Sequence, residues 1–367
     1  MSERARAALL AATLLAAAPA AAEPAVTILD LPFRAKAMRG PGSEVAVAVA
    51  TSGLLPIARP KAAAATAEDE APLAVVWGEE GGAALTLVEG QVRATLIGAE
   101  AVEGLAAAET PRGALPGSRR ALSGGLSAYL TGPTRAAGDG APSAAGLTIR
   151  ERQPVALGGD PKPVPVATMT VPAGPDAVFA RERPRTARFG NRTVILASAR
   201  QGADASALVL VGRPEEAPGS PWTVVARTPP QPGAPLSIAG VADFAGRGQP
   251  QVATVTAGKL QLWTYADGAF ALAAEAAGFA GGDGETALAA SVEGARDRSP
   301  DLALPAADRR SLAVLSLKGP VAERARAALP APAGFGVAAL GRGEAARLLV
   351  GLEDGRVAVV ALDGGGR

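Results

Sequence analysis

The chain has 367 residues, no His, no Cys, 36 basic against 35 acidic residues, and 45 Gly with 31 Pro. Without His and Cys there is no disulfide, thiolate nucleophile, imidazole base, Ser-His-Asp triad or ordinary zinc site. Balanced charge argues against a nucleic-acid partner, and this much Gly and Pro argues for many turns over long helices.

Residues 1–22 read as a secretory signal. Arg4 and Arg6 make the positive start, 7–18 the apolar stretch, and Ala20-Ala21-Ala22 the small-residue cleavage site before Glu23. The competing reading is an uncleaved anchor, but a membrane helix needs about 20 apolar residues. No Cys follows the stretch, which excludes a bacterial lipid anchor. The mature chain is expected in the periplasm or outside the cell, as a monomer without a membrane span. Lacking disulfides there, its fold has to rest on core burial.

From residue 23 on, short apolar runs alternate with Gly, Pro, Asp and Glu. They predict strands at 45–51, 73–77, 84–88, 92–97, 126–131, 147–150, 164–171, 193–199, 207–211 and 222–227. Further strands are expected at 236–244, 251–256, 260–265, 302–304, 312–317, 348–352 and 357–362. The Ala-rich run 99–109 reads as a short surface helix. Runs 271–277 and 321–328 have similar helical propensity but fall where a repeat requires strands. Residues 60–72 and 136–146 read as low-complexity loops, and the tail from Asp363 as frayed.

The repeat is clearest at Val241-Ala242-Asp243-Phe244, a polar Gly-Pro loop, Gln251-Val252-Ala253-Thr254-Val255, a turn, and Leu260-Gln261-Leu262-Trp263. It recurs about 50 residues later at Ser291-Val292-Glu293, Asp301-Leu302-Ala303-Leu304 and Leu312-Ala313-Val314-Leu315, then again from Ala338. One period upstream it appears at Thr186-Ala187-Arg188-Phe189.

The pattern V-A-D-F-x-G-x-G-x-P-x-[VL]-A resembles the FG-GAP/VCBS-type repeat of integrin-like β-propellers, clearly over 185–364 and weakly over 26–184. The resemblance implies an all-β propeller forming a single domain over 23–364. Removing the signal leaves 367 − 22 = 345 residues. At about 50 residues per blade, that gives seven four-stranded blades in one closed ring. Val26-Thr27-Ile28-Leu29 is the strand expected to close it by pairing with the last blade.

Family loops of this kind bind calcium through several converging carboxylates, and this sequence has lost most of them. The loop at 243 keeps Asp243 alone and places Arg247 in the site. Only Glu293, Asp297 and Asp301 remain as one candidate calcium loop, flanked by Arg296 and Arg298. The other loops read as turns, and no further cofactor is expected. Gly341-Arg342-Gly343-Glu344-Ala345-Ala346 matches a dinucleotide motif, but a strand follows where a helix is needed.

Arg181, Arg183, Arg185, Arg188 and Arg192 cluster between two blades. They read either as an anion-binding rim or as a solvated loop whose Arg stems cover apolar surface. Tyr129 and Arg135 suit either a rim loop recognising a polar ligand or a plain strand-to-turn junction. Trp77, Trp222 and Trp263 lie on predicted strands, as core fillers or as ligand platforms. The function expected is an exported, non-enzymatic propeller that binds or scaffolds a protein or polysaccharide in the cell envelope or outside. The alternative is a propeller hydrolase or lyase of extracellular polysaccharide, which would need paired carboxylates from Asp243, Glu293, Asp297 and Asp301.

Overall fold

Period-two apolar runs joined by short turns fold this chain into antiparallel meanders. A computed structural model describes residues 24–55, 73–138, 140–153, 164–214, 220–233, 235–293 and 299–362. The expected signal over 1–22, the loop 60–72, the tail from Asp363 and Asp297 lie outside the described residues.

After β1 (Ala25–Ile28) the chain builds six four-stranded units. The first holds β2 (Ala37–Arg39), β3 (Leu73–Trp77), β4 (Gly82–Val88) and β5 (Gln91–Ile97), with α1 (Glu44–Thr51) inserted after β2 and α2 (Ala99–Ala107) after β5. The second holds β6 (Ala121–Ser123), β7 (Leu126–Thr134), β8 (Ser143–Arg152) and β9 (Val166–Pro172). The short β10 (Val178–Ala180) pairs with both β8 and the second strand of the next unit. That third unit is β11 (Arg185–Phe189), β12 (Arg192–Gln201), β13 (Ala205–Gly212) and β14 (Thr223–Arg227), with β15 (Gln231–Pro232) on the free length of β13. Through β10 the second and third units merge into one ten-stranded sheet.

The fourth unit is β16 (Ser237–Ala242), β17 (Gln251–Thr256), β18 (Lys259–Ala266) and β19 (Ala269–Ala277), and the fifth is β20 (Ala290–Glu293), β21 (Pro300–Pro305), β22 (Ser311–Ser316) and β23 (Ala322–Ala328). The sixth contributes β24 (Ala333–Leu340), β25 (Arg347–Leu352) and β26 (Val357–Ala361). Its fourth strand is β1, antiparallel to β26 with Ala25 opposite Ala361. The expected pairing of the N-terminal strand with the last sheet is therefore present. The arrangement is all-β and propeller-like. The described residues make six four-stranded units, against the seven that length suggests. The division by 50 counted helices, linkers and long loops as if they were blade.

Local chemistry explains most of these elements. Glu89-Gly90 and Asp267-Gly268 both take positive φ at their two hairpin positions, the mirror-type turn that matches strand twist. The Ala-rich runs 271–277 and 321–328 form β19 and β23, so sheet pairing overrides helical propensity. At 45–51 the expectation of a strand fails. Ser43 caps the segment by accepting from Ala46 N at 3.2 Å, Glu44 lies in the first turn, and an α-helix forms. It buries Val45, Ala46 and Val49, which share a helical face.

The core is divided among the seams between units. One cluster joins the second and third units around Phe179 and Trp222. Others join third to fourth, fourth to fifth, fifth to sixth, and sixth to first. The seam between the first and second units is different. There the buried cluster holds α1, α2 and first-unit strands only, with no residue of the second unit.

Candidate functional site

The first strands of all six units, β2, β6, β11, β16, β20 and β24, line one central cavity of about 470 Å³. Its wall has two sides of different chemistry. The fourth, fifth and sixth units give Ile238, Ala239, Val241, Ala290, Val337 and Ala338, with Gly240 and Ser291. The first three units and their linkers give four guanidiniums, Arg39, Arg119, Arg183 and Arg185. Among the described residues no Asp or Glu lines it.

The cations are held from behind. Arg39 Nε donates to Glu109 Oε2 at 2.7 Å, and its guanidinium lies 5.1 Å over the Trp77 ring. Arg120, beside the cavity, binds both carboxylate oxygens of Glu44, and this pair raises its pKa. The carbonyl of Arg120 accepts from Arg183 Nε at 3.2 Å. The Arg120–Glu44 pair crosses the seam that lacks a shared apolar cluster, and the Arg183 contact ties the entry of the second unit to that of the third. Arg119 donates through its terminal nitrogen to the Glu285 carbonyl at 2.8 Å, while its buried Nε has no hydrogen-bond partner. A buried donor left open this way costs about 1–3 kcal/mol and is an invitation to an acceptor.

Burial and the neighbouring guanidiniums of Arg39 and Arg183 push Arg119 down to about 9. Burial and Arg183 push Arg185 down to about 10, and burial also lowers Arg183. Packed cations depress one another because each resists a second positive charge in a poorly solvated place. Arg119 and Arg185 still keep their charge at neutral pH, so the cavity presents a concentrated positive potential.

Residues 280–289, linking the fourth and fifth units, cross this region. Gly284 N donates to Glu182 Oε1 at 2.9 Å, and Val337 N donates to the Ala287 carbonyl at 2.8 Å. A Cβ at Gly284 would overlap the Arg181 carbonyl, so close approach requires glycine there. Behind the loop, Arg119, Glu182, Arg183 and Arg185 border a second, enclosed space of about 20 Å³.

Arg183 and Arg185 line the central cavity. Arg188, three positions further along β11, is exposed and not among the lining residues, as odd spacing on a strand dictates. Tyr129 is buried on β7 near Arg120, and Arg135 is exposed at the turn after β7. Neither lines the cavity. Glu293 pairs with Arg342 at 3.2 Å and Asp301 with Arg324 at 3.3 Å. Asp243 accepts from Arg247 N at 2.9 Å and Gly248 N at 2.6 Å, a side chain folding its own loop. Among the described residues no three acids cluster in a way that could hold a metal ion. All three Trp are buried; Trp263 donates to Thr254 Oγ1 at 3.0 Å, and Trp222 also borders a cavity at the third unit, with Arg213 over its ring. Sequence reasoning missed Arg39 at the end of β2 and Arg119, Glu109 and Glu182 in the linkers, none of which falls in a pattern that marks a site.

No family model matches the chain, and no curated protein does either. Solved structures similar to it include a protein from Bacteroides fragilis proposed to be a 6-phosphogluconolactonase, 10% identical, with 79% of this chain and 76% of that chain covered at a TM-score of 0.39. Another is a triple arginine-to-alanine variant of AofleA from Arthrobotrys oligospora, also 10% identical, covering 90% and 83% at a TM-score of 0.38. The propeller-like description rests on the strand pairing above and not on these similarities.

Proposed function

We propose that this chain is an exported, non-enzymatic β-propeller of FG-GAP/VCBS type. In this reading six blades form a ring that β1 closes, and the central cavity binds a small anion of sulfate or dicarboxylate size. The observation that carries the binding role is the cavity wall: four guanidiniums, no carboxylate, and a buried Arg119 N–H without a partner. Guanidiniums in a poorly solvated pocket bind oxyanions through short, charge-assisted hydrogen bonds. The non-enzymatic part is supported by the acids put forward for hydrolysis, since Asp243, Glu293 and Asp301 are each committed to loop or arginine partners.

The test is titration calorimetry of the mature protein with sulfate and with succinate. One of the two is expected to bind, and Arg185→Gln should weaken that binding by about 10- to 100-fold, the loss typical of a charged hydrogen bond. Absence of heat and of any melting shift with both anions would overturn the reading.

A further inference from the structure

The anion-binding reading leaves Glu182 unexplained. It is a carboxylate set among the same guanidiniums, on the far side from the central cavity. Arg119, Arg183 and Arg185 face both spaces, so each cation has a carboxyl behind it and the cavity in front. Glu182 is faced by Arg185 along its own strand entry, by Arg119 from the linker before β6, and by Asp283 and Gly284 N from the 280–289 loop. Arg181 and Glu285, 3.8 Å apart, pair beside it. The chain has no His and no Cys, so it lacks the side chains that ordinarily titrate near neutral pH.

We propose that Glu182 couples anion binding in the central cavity to proton binding, its carboxylate competing with the anion for the guanidiniums of Arg119 and Arg185. Ionised, Glu182 draws on those cations and repels a second negative charge. When an anion takes the cations, the carboxylate accepts a proton from solvent and becomes neutral. Burial, with the nearby Asp283, already lifts Glu182 to about 8, even though Gly284 N, Arg185 and Arg119 pull the other way. A bound anion lifts it further, so protons are taken up mainly above pH 8.

The inference rests on the anion-binding reading and is tested so that the two can fail separately. Sulfate is the probe because it stays doubly charged across the range. Calorimetry at pH 7 to 9.5, in buffers of different ionisation enthalpy, should show affinity falling about tenfold and uptake peaking at roughly half a proton per sulfate above pH 8, as linkage requires. Glu182→Gln, checked for folding by circular dichroism, should bind sulfate without that uptake. Any pH dependence left in the variant belongs to the lowered guanidiniums of Arg119 and Arg185. Wild-type binding with constant affinity and no proton exchange would overturn the coupling and leave the binding role standing. If sulfate and succinate both fail at every pH, the binding role and the coupling fall together.

Discussion

The two halves of the molecule follow the same strand plan but put different chemistry on it. The fourth to sixth units are regular four-stranded meanders joined by apolar clusters, and they face the central cavity with Ile, Val, Ala, Gly and Ser. The first to third units carry two helices, a merged sheet and a seam crossed by ion pairs, and they supply every cation in the cavity wall. The repeat legible over 185–364 spans both sides of this contrast, since the third unit belongs to it and supplies Arg185. What separates the halves is the chemistry each puts on the cavity wall, not the presence of the repeat.

The sharpest way to break that contrast is through its ion pairs. Arg39→Ala strands Glu109, whose side chain is 2% exposed, without its cation. The expected cost is about 3–5 kcal/mol in urea or thermal unfolding. Next comes pH. Burial pushes Glu182 up to about 8 in the folded protein, from an ordinary carboxylate value of 4.5 in the unfolded chain. The folded state holds that proton more tightly, so its contribution is complete below about 4.5 and gone above about 8. The melting temperature of the wild type, taken relative to Glu182→Gln, should therefore fall as pH rises from 5 to 9. A flat difference would place Glu182 in a solvated setting. A smaller effect is expected from Ser291→Glu, which puts a carboxylate on the neutral wall opposite the arginines. Sulfate affinity should drop about tenfold with little change in stability. The smallest is Arg326→Ala in the regular half. Its partner Glu323 is 39% exposed, and such pairs contribute about 0–1 kcal/mol.

The strand plan was readable because β hairpins leave a local imprint. Predicted 73–77 and 251–256 coincide with β3 and β17, and Val26-Thr27-Ile28 pairs with the last sheet as expected. The failure at 45–51 has a physical cause. Val-Ala alternation suits a strand and a helix almost equally, because Ala gives little contrast between faces, and Ser43 decides the matter through a single cap. Within the site, Arg183 and Arg185 stood out as a cluster, and strand parity alone could have removed Arg188. Arg39 on β2 and Arg119 and Glu182 from two separate connections are brought together only by the arrangement of the units. No spacing in the sequence encodes that meeting.

The pairing of β1 with β26 has a consequence for how the protein is made. Ala25 meets Ala361, 361 − 25 = 336 positions later. A ribosome delivers the first of these strands long before the second, so β1 has no partner for most of synthesis. The sixth sheet stays three strands wide until the two meet, and a copy lacking either strand keeps a bare hydrogen-bonding edge of the kind that recruits other chains. That edge is covered only in a molecule that carries both ends of the fold.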